Sequence, residues 1–201
     1  MGDRMFGPTI ETAGVVLAVF VVQMALFTFG AGMELFALSM PFASRPWTLI
    51  TSIYAHGGVQ HLIANIVALL LFGWIVERHS TRFRFHLFIL LTGMISGIAE
   101  VLVGSMIGPS PLVVGISGAV FALMGYVVAS NPVTVTILNR TDIDPKIQFG
   151  MMLLIALLIT WVTRGERVAL IAHFTGFMLG LMAGRLRLLR TSNQAQHSRA
   201  I

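Results

Sequence analysis

Six apolar stretches, at about 12–29, 58–77, 85–107, 114–130, 147–163 and 168–188, leave this chain few ways to fold. In lipid every backbone amide and carbonyl must find its partner inside the protein, so long apolar runs read as membrane helices. Crossing a core of ~30 Å at ~1.5 Å per residue takes about 20 residues, and the six runs meet that length wholly or in part. Pro8, Pro41, Pro46, Pro109, Pro111, Pro132 and Pro145 all fall outside the runs, as expected of residues that punctuate helices. Charged residues are 10% of the chain, against ~25% in soluble domains, which excludes a soluble domain carrying a single anchor. The expected fold is an all-α membrane protein. A bundle of six transmembrane helices fills residues 1–190 as one domain, followed by a polar, disordered tail at 191–201.

Lysine and arginine are unevenly placed. With the N-terminus inside, Arg4, Arg78, Arg82, Arg84, Arg140, Lys146, Arg185, Arg187, Arg190 and Arg199 lie on the inner side. Only Arg45, Arg164 and Arg167 lie outside. This asymmetry puts both termini in the cytoplasm and makes the chain a multi-pass protein of the cell membrane. The net charge of +5 does not point to nucleic acid, because the arginines sit at segment ends rather than on one soluble face. The chain has no cysteine, which excludes disulfides, iron–sulfur clusters and thiol catalysis. The first apolar stretch has no small-residue cleavage site with a soluble domain behind it, so it reads as a retained helix. The loop at 30–46 is expected to lie in the interface, and the proline- and glycine-bearing loop at 104–114 to dip into the protein.

Polar residues inside these stretches are costly in lipid and mark candidate functional sites. Ser117 lies in Gly115-Ile116-Ser117-Gly118, and His173 lies in the last stretch. The second stretch carries His56, His61 and Asn65, with His61 and Asn65 one helical turn apart. Asn65 is ~20 Å of helix above Arg78, Ser117 is ~21 Å above Asn131, and His173 is ~9 Å below Arg167. In a core of ~30 Å all three come to about 10 Å below the outer surface.

A serine and a histidine in one layer suit nucleophilic acyl chemistry. Ser117 is then the nucleophile, and His173 takes its proton and later protonates the leaving amine. No carboxylate lies near His173 at that depth, which favours a dyad over a triad. The Asn65 amide, the His61 imidazole and the Ser117 N–H are the candidate oxyanion donors. Gly115 and Gly118 allow a tight backbone there. Taken singly these features have plainer readings: a transmembrane serine bonded to its own backbone, a packed histidine, glycines that only pack. Glu100, the one acidic residue deep in a span, reads first as a hydrogen-bonded or water-facing carboxylate. His56 and His61 are five apart across a loop-to-helix junction, a weak metal pattern, and no metal or cofactor is expected. Trp47, Trp74 and Trp161 read as interface anchors.

The last stretch also carries Ala172, Gly176, Gly180 and Gly184 every four residues, a ridge that lets another backbone come close. Gly118, Ala122 and Gly125 form a matching face on the fourth. Close packing of the two would bring Ser117 toward His173.

With these residues in hand the chain resembles the rhomboid intramembrane serine proteases. The resemblance runs from about Pro46 to Gly184. It rests on His56-x4-His61-x3-Asn65, on Gly115-x-Ser117-Gly118, and on Ala172-His173-x2-Gly176-x3-Gly180. It implies a six-helix rhomboid-like bundle with a Ser117–His173 dyad and with His61 and Asn65 at the oxyanion. Phe121 would pack on the catalytic histidine, and 147–167 would supply the moving gate and cap. It also implies membrane-anchored protein substrates, cut in or beside their transmembrane segment, and the minimal six-helix form typical of prokaryotes. The oligomeric state stays open. One departure is that Trp47 is followed by Thr48, with Arg45 two residues before it, where many members carry Trp-Arg. Two rivals stand beside this reading. A non-catalytic rhomboid-like protein that binds membrane clients has no need of both Ser117 and His173. A small transporter would show more charged spans or an inverted repeat.

Overall fold

The computed structural model describes residues 7–131, 144–162 and 169–191; the expected tail beyond Thr191 and the loop with Arg164 and Arg167 lie outside them. Seven α-helices occupy the described residues: α1 (Pro8–Thr28), α2 (Thr48–Tyr54), α3 (Val59–Glu77), α4 (Arg82–Ile107), α5 (Ser117–Ser130), α6 (Pro145–Val162) and α7 (Leu170–Arg185). Helices α1, α3 and α4 are long and apolar enough to cross a membrane, and α5, α6 and α7 are shorter apolar helices. Six apolar helices thus stand at the six apolar stretches. The seven-residue α2 is too short for hydropathy to reveal.

Local chemistry sets the helix ends. Pro8 and Pro145 open α1 and α6, where a missing N–H costs nothing. Thr81 caps α4 by accepting from the Arg84 N–H at 3.2 Å. Helix α5 starts at Ser117 rather than at 114 because the chain before it is held extended. Leu38 and Val113 exchange two backbone bonds of 2.9 Å, and the Gly115 N–H donates to Ser52 O at 2.8 Å. Gly115 itself has φ +117°, outside the range a helix or most L-residues adopt. Helix α4 runs on to Ile107, so the loop expected at 104–114 starts only at Gly108; Pro109 and Leu112 stay exposed, and only the stretch from Val113 to Ile116 turns in against the protein. The segment at 30–46 forms two short 3₁₀ turns and buries Phe36, Ala37 and Leu38. Arg45 donates to Glu34 O at 2.5 Å and Trp47 Nε1 to Leu35 O at 3.0 Å. These two bonds anchor the loop although Trp47 and Arg45 are not adjacent.

The outer faces of the helices are apolar. Val21, Val67, Leu71, Leu154 and Trp161 are each more than half exposed, which fits lipid as the surrounding solvent. In lipid, apolar area gives little drive to pack, so helix association rests on close van der Waals contact between small residues. Helices α5 and α7 meet this demand and are the most intimately packed pair. They run parallel. A Cβ added to Gly176 would overlap the Gly118 carbonyl, one on Gly180 the Ala122 carbonyl, and one on Gly184 would press on Tyr126 O at 2.6 Å. From the other side, a Cβ on Gly125 would overlap Phe177 O. The ridge expected on the last helix is thus a ladder of backbone-to-backbone contacts in steps of four.

Polar contacts tie the helix ends opposite the start of α5. Glu77, closing α3, accepts from the Thr9 N–H of α1 at 2.9 Å. Arg82 pairs with Glu11, and His86 Nε2 lies 3.0 Å from the same carboxylate. Arg84 donates to Arg190 O at 2.6 Å, Arg190 to Ser130 O at 3.3 Å, and Arg185 to Gln148. One end of the bundle is therefore basic and cross-tied. The other end carries the polar residues singled out above.

Candidate active site

Ser117 is the first residue of α5 and is partly exposed. Ile116 gives α5 no side-chain cap, so the leading N–H groups have no intrahelical acceptor and the positive end of the dipole lies at Ser117. Ser117, Gly115 and Gly118 line a cleft with Ser52, Ser96 and Ala172, the residue before His173. The start of α5 and the start of α7 therefore face one space.

His173 sits in the first turn of α7 and is 8% exposed. Its ring stacks on Phe121, one turn after Ser117, at a centroid distance of 4.0 Å and an interplanar angle of 15°. Its Nδ1 is buried without a hydrogen-bond partner among the described residues, so no carboxylate orients the ring. Stacking does that instead. Among the described residues no hydrogen bond joins Ser117 to His173.

The chain around Gly115 brings His61 into the same region. A Cβ on Gly115 would lie 2.7 Å from His61 Cε1 and 3.0 Å from Nε2, so only glycine lets the imidazole approach this turn. The Gly57 N–H points at His61 Nδ1 at a long 3.5 Å. An N–H can only donate, so this arrangement makes Nδ1 the acceptor and leaves the proton of a neutral ring on Nε2, the atom facing Gly115. His56 stands behind His61, with ring centroids 5.1 Å apart. Asn65 is buried, and its Nδ2 donates to His61 O at 2.9 Å, one turn back. One amide hydrogen is thus used within α3, and the second remains for another acceptor.

Three further residues meet this region, and the sequence singled out only the last of them, Glu100. Gln23, fully buried in α1, clamps the His56 backbone from both sides. Its Nε2 donates to His56 O at 2.7 Å, and its Oε1 accepts from the His56 N–H at 3.0 Å. A lone amide in an apolar run is itself a signal of function, though its partner is 33 residues away. Ser96 of α4 lies against Gly118, where an added Cβ would come within 2.6 Å of the Ser96 Cβ, and its hydroxyl is buried without a partner. Glu100, one turn further, accepts from the Ala172 N–H at 2.9 Å. The plainer reading of Glu100, a hydrogen-bonded carboxylate, is the one found. Among the described residues no group of three His, Cys, Asp or Glu side chains is placed to hold a metal ion.

Known proteins are similar to much of this chain. A family model for the rhomboid domain matches residues 43–190. RHOMBOID-like protein 5 of Arabidopsis thaliana is 32% identical over 146 residues, covering 72% of this chain and 45% of that protein. Rhomboid-like protease 3 of Toxoplasma gondii is 28% identical over 136 residues, covering 67% and 49%. Rhomboid protease GlpG of Haemophilus influenzae is 25% identical over 143 residues, covering 70% and 69%. The chain thus spans less than half the length of the plant and parasite relatives. The family match takes in α2 to α7 with every residue described at this site except Gln23. On that match the chain belongs to the rhomboid family of integral membrane proteins, some of which are named as proteases.

Proposed function

We propose that this chain is an intramembrane serine endopeptidase that cuts membrane-anchored proteins through a Ser117–His173 dyad. The observation that carries the reading is the His173 ring stacked on Phe121, one turn from Ser117, on two helices locked together at backbone contact. In this reading Ser117 Oγ attacks the scissile carbonyl. His173 Nε2 removes its proton and then delivers it to the departing amine. Nucleophile–base bonds are often long in unliganded sites and close around substrate, which accommodates the open Ser117–His173 pair. The negative oxygen that forms meets the uncapped start of α5, His61 Nε2–H and the free hydrogen of Asn65. Two relatives named as proteases support the assignment. The reading includes six spans, both termini in the cytoplasm, and a place in the cell membrane with the basic end of the bundle inward.

Asn65→Ala is expected to lower kcat by ~10²-fold or less, with a smaller change in KM. One lost oxyanion donor costs ~10²–10³ in rate, and His61 and the Ser117 N–H remain. Steady-state kinetics on a single-span substrate measure this. Unchanged kcat with much weaker binding would move Asn65 to substrate recognition.

The site lies ~10 Å below the outer surface by helical rise, and a stable helix hides its carbonyls in its own hydrogen bonds. Substrates should therefore carry Gly, Pro or other helix-weakening residues in the outer part of their span. Two model spans in liposomes, one with Gly and Pro and one of leucine, both bearing the same cleavage sequence, test this. The first is expected to be cut faster. Equal cleavage would place the cut in the water-exposed flank instead. No cleavage of either span by a folded protein would favour the alternative, a rhomboid protein that binds membrane clients without cutting them.

A further inference from the structure

Helices α5 and α7 begin side by side, and neither has a side-chain cap of its own. Their first turns are treated differently. The start of α5 at Ser117 is left open toward the cleft. At the start of α7, the Ala172 N–H is taken by Glu100 Oε2 at 2.9 Å, from α4 and 72 residues away in sequence. Glu100 shares a face of α4 with Gly93, Ser96 and Gly97, at spacings of three, four and seven. Ser96 on that face abuts Gly118 in the first turn of α5. One face of α4 therefore touches the start of the serine helix and the start of the histidine helix. His173 is the residue next after the amide that Glu100 holds.

We propose that Glu100 is a positioning residue, which fixes the first turn of α7 and thereby sets the His173 ring against Phe121 and toward Ser117. The proposal rests on the reading of Ser117 and His173 as a dyad. A carboxylate deep in an apolar helix is costly, and among the described residues Glu100 has no ion pair that would offset its charge. Its carboxyl oxygen is instead met by the Ala172 N–H at the positive dipole end of α7. A polar side chain at the N-cap position, where Ala169 stands, would satisfy the same amide but would leave α7 free to shift against α4. A cap from α4 makes the position of His173 depend on the helix that also abuts Ser117. The lower part of α7 is held separately by Gly176, Gly180 and Gly184 against α5. Loss of the Glu100 contact should therefore loosen one turn, the turn with His173, without releasing the helix.

The test is kcat, KM and thermal midpoint for E100Q, E100D and E100L in the full chain, reconstituted with a single-span substrate beside wild type and S117A. Gln keeps an acceptor oxygen at the same reach, Asp holds it one methylene short, and Leu removes it. The expected order of kcat is wild type and E100Q within a few-fold, then E100D, then E100L down by ~10²-fold, the effect of a ~1 Å misplacement. KM should stay within about two-fold across the series. Wild-type kcat in E100L, a rise in KM in place of a fall in kcat, or E100D more active than E100Q would each overturn the positioning role. Where E100L does not fold, the order of E100Q and E100D decides. Absence of cleavage by wild type itself would remove the dyad, and this proposal with it. Cleavage by wild type but not by S117A leaves the dyad standing and the Glu100 series to speak for Glu100 alone.

Discussion

Ser117→Ala is expected to abolish cleavage of a transmembrane substrate, by at least ~10⁴-fold, while the protein stays folded. Loss of the nucleophile of a serine hydrolase costs rates of that order, because the remaining groups have no attacking atom to activate or stabilise. The substitution removes a single oxygen from a partly exposed side chain, at a helix start where Ser117 supplies no cap. Neither packing nor the α5–α7 ladder should change. Purified wild type and variant, compared on one substrate at matched thermal midpoints, make the measurement. A variant that cuts at the wild-type rate would show that Ser117 is not the nucleophile.

The second large effect is expected far from any reacting atom. Gly180→Val should destabilise the protein or inactivate it. A Cβ at Gly180 overlaps the carbonyl oxygen of Ala122, a backbone atom that cannot turn aside as a side chain would. The two helices must part. Overpacking typically costs ~1–3 kcal/mol, and a shift of ~1 Å between reacting groups can cost ~10²-fold in rate. Gly14 of α1 is an internal control, since a Cβ there meets nothing within 4 Å. Gly14→Val should leave activity and thermal midpoint near wild type. A Gly180→Val protein with both unchanged would remove the ladder as the device that aligns Ser117 with His173.

Much of this was legible in the sequence because lipid simplifies the problem. Long apolar runs can only be helices there, so hydropathy locates α1, α3 to α7 within a few residues. The four-residue ridge from Ala172 to Gly184 showed which face of α7 packs. Gly118, Ala122 and Gly125 showed where on α5 it packs. What hydropathy and spacing do not carry is contact at long sequence range. Gln23 reaches His56 across 33 residues and Glu100 reaches Ala172 across 72. Each is a lone polar residue whose presence signals a partner without naming it. The start of α5 escaped the apolar pattern for a related reason. Val113 and Val114 are as apolar as the helix that follows, but Leu38 and Ser52 hold the chain there extended. Helix α2 is too short for hydropathy to show, and the anchoring of the 30–46 segment by Arg45 and Trp47 depends on carbonyls that only the folded chain brings near.

The central claim is that Ser117 is a nucleophile activated by His173. It is tested most directly by reacting the membrane-reconstituted protein with a serine-reactive phosphonate and locating the adduct by mass spectrometry. The account predicts one adduct, on Ser117, absent in Ser117→Ala and strongly slowed in His173→Ala, with Ser96 and Ser52 in the same cleft unlabelled. No adduct on folded wild-type protein, or an adduct on Ser117 that forms as fast without His173, would contradict it.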